Sequence, residues 1–205
     1  MIRSIAPFIA AMAAVVIASN YLVQFPLQMT LGGVNLADLL TWGAFTYPIA
    51  FLVTDLTNRQ FGTYRARMVV LTGFFIAVAL SIWLATPRIA IASGTAFLTA
   101  QLLDVSIFDK LRASTWWKAP LISSLLGSAI DTVLFFALAF APLFAMLDFG
   151  GEPGSLGFGV PFLGVGSEVP LWVSLAAGDF IVKIAVGLAM LLPYGLLAKR
   201  QPQTA

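Results

Sequence analysis

Long apolar runs alternate with short polar breaks along this chain, at a spacing that suits a lipid bilayer better than a globular core. Windows of about 19 residues place helices near 5–23, 37–57, 68–86, 89–108, 120–146 and 171–197. A hydrocarbon core roughly 30 Å thick takes about 20 apolar residues per helix. Six such runs use most of the 205 residues and leave little for a soluble domain. The expected fold is all-α: a polytopic six-transmembrane-helix bundle forming one transmembrane domain over 1–205. The first run follows Arg3 and contains Ala13, Ala14 and Ala18, as a secretory signal would. Because further apolar segments come after it, it reads as an uncleaved first helix.

Composition agrees with the pattern. The chain is 60% hydrophobic and 10% charged, with a mean hydropathy of +0.97, whereas soluble domains carry about a quarter charged residues. The eleven Lys and Arg residues sort by side. Arg3; Arg59, Arg65 and Arg67; Lys110, Arg112 and Lys118; and Lys199 and Arg200 fall on one side of the predicted spans. Arg88 lies alone on the other, with Asp38, Asp148, Glu152 and Glu168, and Lys183 lies inside the last span. The positive-inside rule then puts both termini in the cytoplasm. The pI near 9.2 reflects this topological clustering, since the formal net charge is only +2, and it is no nucleic-acid footprint. With neither cysteine nor histidine, disulfides, thiolate chemistry, Cys/His metal sites and imidazole-based triads are excluded. No cofactor is implied.

The long loop 147–170 faces outward and holds seven glycines with Pro153, Pro161 and Pro170. It reads as a surface loop, with a lid or re-entrant hairpin as the alternative.

Candidate chemistry comes from polar groups buried in the spans, each of which must be paired, hydrated or functional. Asp179 and Lys183 stand four apart with the acid first, the favourable order for an intrahelical pair. Such a pair either merely cheapens insertion or holds a partner that a substrate or proton competes for. Asp131 lies roughly 17 Å into the fifth span and Lys183 roughly 18 Å below the far end of the sixth, so both reach the midplane. Ser124, Gly127, Ser128 and Asp131 share one helical face, which suits either a site or close helix packing. Phe97, Gln101, Asp104 and Phe108 form another stripe, which offers an amide and a carboxylate between rings or else plain packing. Pro48, after Tyr47, cannot donate to the Ala44 carbonyl and predicts a kink. Asp55 follows near the cytoplasmic surface, with Arg59 as a structural partner at i+4. Asn20, near the outer end of the first span, completes the set.

These residues fall in a pattern that resembles the vitamin uptake transporter family, whose studied members carry queuosine precursors. The signature is Tyr47-Pro-Ile-Ala-Phe-Leu-Val-Thr-Asp-Leu-Thr-Asn-Arg-Gln-Phe-Gly62 with Ala66-Arg67. Further matches are Arg88-Ile-Ala-Ile-Ala-Ser93, Gln101-Leu-Leu-Asp104 through Phe108, Trp116-Trp-Lys-Ala-Pro120, Gly127 through Asp131-Thr132, Asp179 with Lys183, and Pro193-Tyr194-Gly195. The resemblance implies import of 7-cyano-7-deazaguanine, 7-aminomethyl-7-deazaguanine or both. A guanine-like edge presents two donors that one carboxylate accepts in bidentate fashion, a role for Asp131 or Asp104. Gln101 or Asn20 would meet the ring acceptors, an aromatic ring such as Phe97 would cover the flat face, and Asp55, Asp179 and Lys183 would complete the substrate-binding set. The expected partners are the deazaguanine and the lipid bilayer, with no direct nucleic acid and a homodimer left open.

No Walker-type loop is present, so the chain does not hydrolyse ATP itself. That leaves a facilitator, a proton-coupled carrier, or a binding subunit energised by a separate ATPase. An intramembrane aspartyl protease is the competing enzyme class, because Ala177-Gly-Asp179 resembles its Gly-Asp element. Lys183 beside Asp179 spoils the shared-proton dyad such an enzyme needs.

Overall fold

A computed structural model describes residues 4–148 and 156–199. Arg3, Arg200, Glu152 and Pro153 of the sequence reading lie outside the described residues. The helices are α1 (Ala6–Leu22), α2 (Gly43–Thr46), α3 (Ile49–Phe61), α4 (Thr63–Leu84), α5 (Pro87–Leu111), α6 (Lys118–Phe140) and α7 (Leu171–Lys199). Two short antiparallel hairpins complete the chain, β1–β2 (Thr30–Leu31 with Val34–Asn35) and β3–β4 (Gly159–Pro161 with Glu168–Pro170).

Four helices among the described residues, over Thr63–Leu84, Pro87–Leu111, Lys118–Phe140 and Leu171–Ala198, are long and apolar enough to cross a membrane, and Ala6–Leu22 is a shorter apolar helix of 17 residues. Their outer surfaces carry large apolar side chains where a soluble protein would place charge. Phe75, Ile82, Val133 and Leu192 are each more than 60% exposed, a continuous belt of the kind that marks a lipid-facing surface. Trp83 at one end of the bundle and Trp116 and Trp117 at the other are exposed, as interfacial aromatic anchors are.

The second predicted span is the one that differs most. Instead of one helix over 37–57, the chain forms a 3₁₀ turn at Leu36–Asp38, the single turn α2, and then α3. Pro48 has no N–H to give, and the next amides bond three residues back, Ala50 to Tyr47 and Phe51 to Pro48, so the expected kink is a complete break. The fifth predicted span also ends early. α6 stops at Phe140, before Pro142, and 142–147 continues as 3₁₀ turns. At the junction of α3 and α4, Gly62 adopts φ +82°, a conformation open to glycine and costly for other residues, which reverses the chain in one step.

All connections fall at two ends. The basic end collects the α3–α4 turn, the 112–117 loop with Lys110, Arg112 and Lys118, and the close of α7, where Gly195 meets the Trp116 ring. The hairpin end collects both β-hairpins and the α4–α5 turn. The described part of the 147–170 loop is therefore ordered: β3–β4 packs on α7, and the Leu163 amide bonds to Ser174 Oγ. Arg88, the basic residue that sorted to the wrong side, is 6% exposed and fully engaged. It pairs with Asp148 at 2.7 Å and donates to the carbonyls of Leu138 and Ala141, closing the end of α6.

Lipid offers no hydrophobic drive for helices to associate, so close packing of small residues matters. On α5, Ala92, Ala96 and Ala100 are buried at four-residue steps, and the Ala100 carbonyl lies 3.3 Å from where a Cβ on Gly127 of α6 would sit. The same Cβ would meet the Phe51 ring at 2.7 Å. Gly127 is thus a packing residue that draws α3, α5 and α6 together.

Candidate functional site

Between the broken helix and α7 the polar residues of the interior fall into two layers. The layer nearer the hairpin end centres on Lys183. Its ammonium has three protons to donate and finds three partners. Asp131 Oδ2 on α6 is 2.7 Å away, Thr132 Oγ1 is 3.1 Å away, and Asp179 lies one turn back on α7 in ion-pair contact. Thr132 in turn donates to Asp179 Oδ2 at 2.8 Å, and the Tyr47 hydroxyl donates to Asp131 Oδ1 at 3.1 Å. The ammonium also lies 5.5 Å from the centre of the Tyr47 ring. The helix break before α3 leaves Tyr47 at the end of the short α2, beside this cluster.

The cluster forms the floor of a cavity of about 700 Å³ that opens toward the hairpin end, a size within the range of about 300–1,000 Å³ common for small-molecule sites. Phe135, Phe136 and Phe140 of α6 form one wall, and Ser19, Asn20 and Ser93 contribute polar atoms to the others. The three rings contact one another with centroids 5.1 to 6.0 Å apart. Two carboxylates against one ammonium give the floor a formal charge of −1.

The second layer, nearer the basic end, is closely packed. Asp55 of α3 and Asp104 of α5 are 1% and 0% exposed. Asp55 accepts from Ser123 and Ser124 of α6, both at 3.3 Å. Thr54 donates to Gln101 Oε1 at 2.6 Å. Below this layer the chain is latched: Arg112 donates to Asn58 O and Oδ1 at 2.6 and 2.7 Å, Asn58 Nδ2 donates to Val105 O at 2.9 Å, and Arg59 donates to Arg112 O at 3.2 Å. Phe108 and Tyr194 meet edge to face above the latch.

The residues singled out in the sequence divide between these layers. Asn20, Asp131, Asp179 and Lys183 line the cavity, though the Asn20 amide is committed to Val16 O of its own helix. Phe97, Gln101 and Asp104 form the expected stripe on α5, but it faces the packed interior. Phe97 is 1% exposed in the core with Met12 and Val16 and touches the cavity only through an edge contact with Tyr47. Asp55 is paired with serines rather than with Arg59. Tyr47, Thr132 and the α6 phenylalanines are functional candidates that spacing did not reveal. Two signals pointed toward them: Tyr47 directly precedes the helix-breaking Pro48, and Thr132 directly follows Asp131.

Comparisons with known proteins give the family. The family model described as "Putative vitamin uptake transporter" matches residues 41–86 and 81–197, a stretch that contains both layers. The chain belongs to the vitamin uptake transporter family. A protein of Haemophilus influenzae named "Probable queuosine precursor transporter" is 33% identical over 211 residues, covering 89% of this chain and 81% of the relative. The "Queuosine precursor transporter" of Escherichia coli K12 is 33% identical over 207 residues with the same coverage. A "Probable queuosine precursor transporter" of Bacillus subtilis is 23% identical over 188 residues, 78% of this chain and 72% of the relative. No solved structure matches. This transporter family member is a multi-pass membrane protein and not an enzyme.

Proposed function

We propose that the chain imports queuosine precursors, 7-aminomethyl-7-deazaguanine and its 7-cyano counterpart, across the bacterial inner membrane by a carrier mechanism. In this reading six segments cross the membrane, with α1 and the broken α2–α3 pair joining the four long helices, and both termini are cytoplasmic. The excess of Arg and Lys at the basic end supports that orientation, so the cavity faces outward and the latched end faces the cytoplasm.

The observation that carries the reading is the Lys183 bridge between Asp131 and Asp179 at the floor of a cavity walled by aromatic rings. Asp179 has the more exposed side chain of the three, at 16%, and meets an incoming substrate first. A guanine-like edge offers a ring N–H and an exocyclic amine to one carboxylate, a bidentate geometry, while the phenyl wall of α6 covers the flat face. The cationic aminomethyl group balances the formal −1 of the floor, and in doing so it competes with Lys183 for a carboxylate. Binding energy is then spent on loosening a bridge between α6 and α7, the two helices that must separate for the site to open inward.

The test is uptake in cells that cannot make the precursor, read as queuosine in their tRNA after external deazaguanine is supplied. The wild-type chain restores the modification and Asp131→Asn does not. Failure of the wild type would remove the substrate assignment, and full rescue by Asp131→Asn would remove the site assignment.

A further inference from the structure

We propose that Asp55 and Asp104 form a proton-binding site, distinct from the substrate site, and that one proton held there lets the cytoplasmic half of the transporter close. The proposal rests on the transport reading above and adds the group that couples it to an energy source.

Hydrogen bonds on either side set the turn of α3 that carries Asp55 against the turn of α5 that carries Asp104: Thr54 donates to Gln101 Oε1 at 2.6 Å and Asn58 Nδ2 to the Val105 carbonyl at 2.9 Å. Both carboxyls are shielded from solvent, and among the described residues no Lys or Arg nitrogen lies within 4 Å of either, since every ion pair found involves other acids. The nearby cations make their hydrogen bonds and ion pairs with other groups. Lys183 gives its donors to the upper layer, Arg59 bonds the Arg112 carbonyl, and Arg112 bonds Asn58 and Asp109. On the remaining faces α6 presents only the hydroxyls of Ser123 and Ser124, α7 presents Tyr194, and the arginines of α4 sit in its first turn, with Arg65 over the Phe61 ring. Two like charges on facing turns, buried inside a membrane protein without a cation, do not both persist. A shared proton removes one charge and turns the pair into a donor and an acceptor.

A second observation points to the same place. Both oxygens of Asp104 are buried without a hydrogen-bond partner, and so is the hydroxyl of Tyr194, a residue only 1% exposed. Tyr194 and Asp55 line one narrow crevice of about 20 Å³ that reaches Ser124, Ser128 and Lys183. That is room for about one water molecule, enough to join the floor of the outer cavity to the carboxyl pair by a hydrogen-bonded relay and too narrow for substrate. The proton thus enters from the outside by way of the serine face of α6. With the proton bound, the layer packs dry and the latch closes. When the cytoplasmic side opens and water enters, both carboxylates are hydrated and the proton leaves inward.

The test uses the full chain in proteoliposomes, with labelled 7-aminomethyl-7-deazaguanine as the probe. Uptake is measured with an inward pH gradient, with an inward sodium gradient, and with none. The proposal predicts that acid outside raises wild-type uptake severalfold, that sodium has no effect, and that the ratio of uptake with and without the pH gradient falls to one in Asp55→Asn and Asp104→Asn. Wild-type uptake that ignores the pH gradient, variants that still respond to it, or a sodium response that depends on Asp104 would each overturn it. A wild type that takes up no deazaguanine under any gradient would instead count against the substrate reading. Infrared spectroscopy of the purified chain then decides on its own: a carbonyl band of a protonated carboxyl at neutral pH, absent in both variants, is expected, and its absence from the wild type would refute the proton site.

Discussion

The two polar layers hold similar carboxylates and neutralise them in opposite ways. In the upper layer Asp131 and Asp179 share a cation from the protein, Lys183, and a large cavity reaches them. In the lower layer Asp55 has only serine hydroxyls, Asp104 has no hydrogen-bond partner, and the space beside Asp55 is no more than a crevice. The difference teaches that burial of charge in a membrane is a statement about what must balance it. Where the protein supplies the balancing charge within reach of an opening, an outside ligand can displace it. Where the protein supplies none, a small cation is required for the layer to exist at all. The two layers share α6 and α7, so a change in one is transmitted to the other by rigid packing.

The comparison can be broken most forcefully at Lys183. Lys183→Met leaves two facing carboxylates without their cation, and loss of one member of a buried pair costs about 3–5 kcal/mol. The expected outcome is abolished uptake and a clear fall in unfolding temperature in detergent. Adding Asp131→Asn to that variant recovers part of the stability if the bridge is what was lost. Tyr47→Phe is next. It keeps the ring beside the ammonium and removes one hydrogen bond to a carboxylate, worth about 1.5–3 kcal/mol, which denaturant titration should show with weaker substrate binding. Gly127→Ala tests the lower layer by forcing Phe51 aside from a Cβ at 2.7 Å. Overpacking of this kind costs about 1–3 kcal/mol, and it should lower stability while leaving the Lys183 bridge intact. Smallest is Arg112→Lys, which removes the forked contact to Asn58. The Arg112 side chain is about one-third exposed, so the cost stays within about 1 kcal/mol, visible as modestly faster labelling of Ser124→Cys from the cytoplasmic side.

Much of this arrangement was legible in the sequence. Asp179 and Lys183 sit on one helix, and spacing alone placed them together. Helix rise put Asp131 and Lys183 at a similar level in the bundle, and they meet at 2.7 Å. What the sequence did not reveal was which faces meet. The Asp131–Lys183 contact joins residues 52 apart, and no periodicity reports the rotation of one helix against another. The α5 stripe shows the same limit. Phe97, Gln101 and Asp104 do share a buried face, but a face buried against protein and one lining a cavity have the same spacing. The second span was overextended because 37–47 is apolar enough to suggest a helix, while the proline at 48 and the tertiary position of Tyr47 divide it.

The absence of cysteine from the chain makes one measurement especially direct. Ser93 lines the upper cavity without joining the Lys183 cluster, so Ser93→Cys reports on that space with little change in shape. A membrane-impermeant maleimide added from outside should label it, and saturating 7-aminomethyl-7-deazaguanine should slow the labelling. Labelling from the cytoplasmic side alone, or labelling that bound substrate does not slow, would contradict the placement of the substrate above the Lys183 bridge.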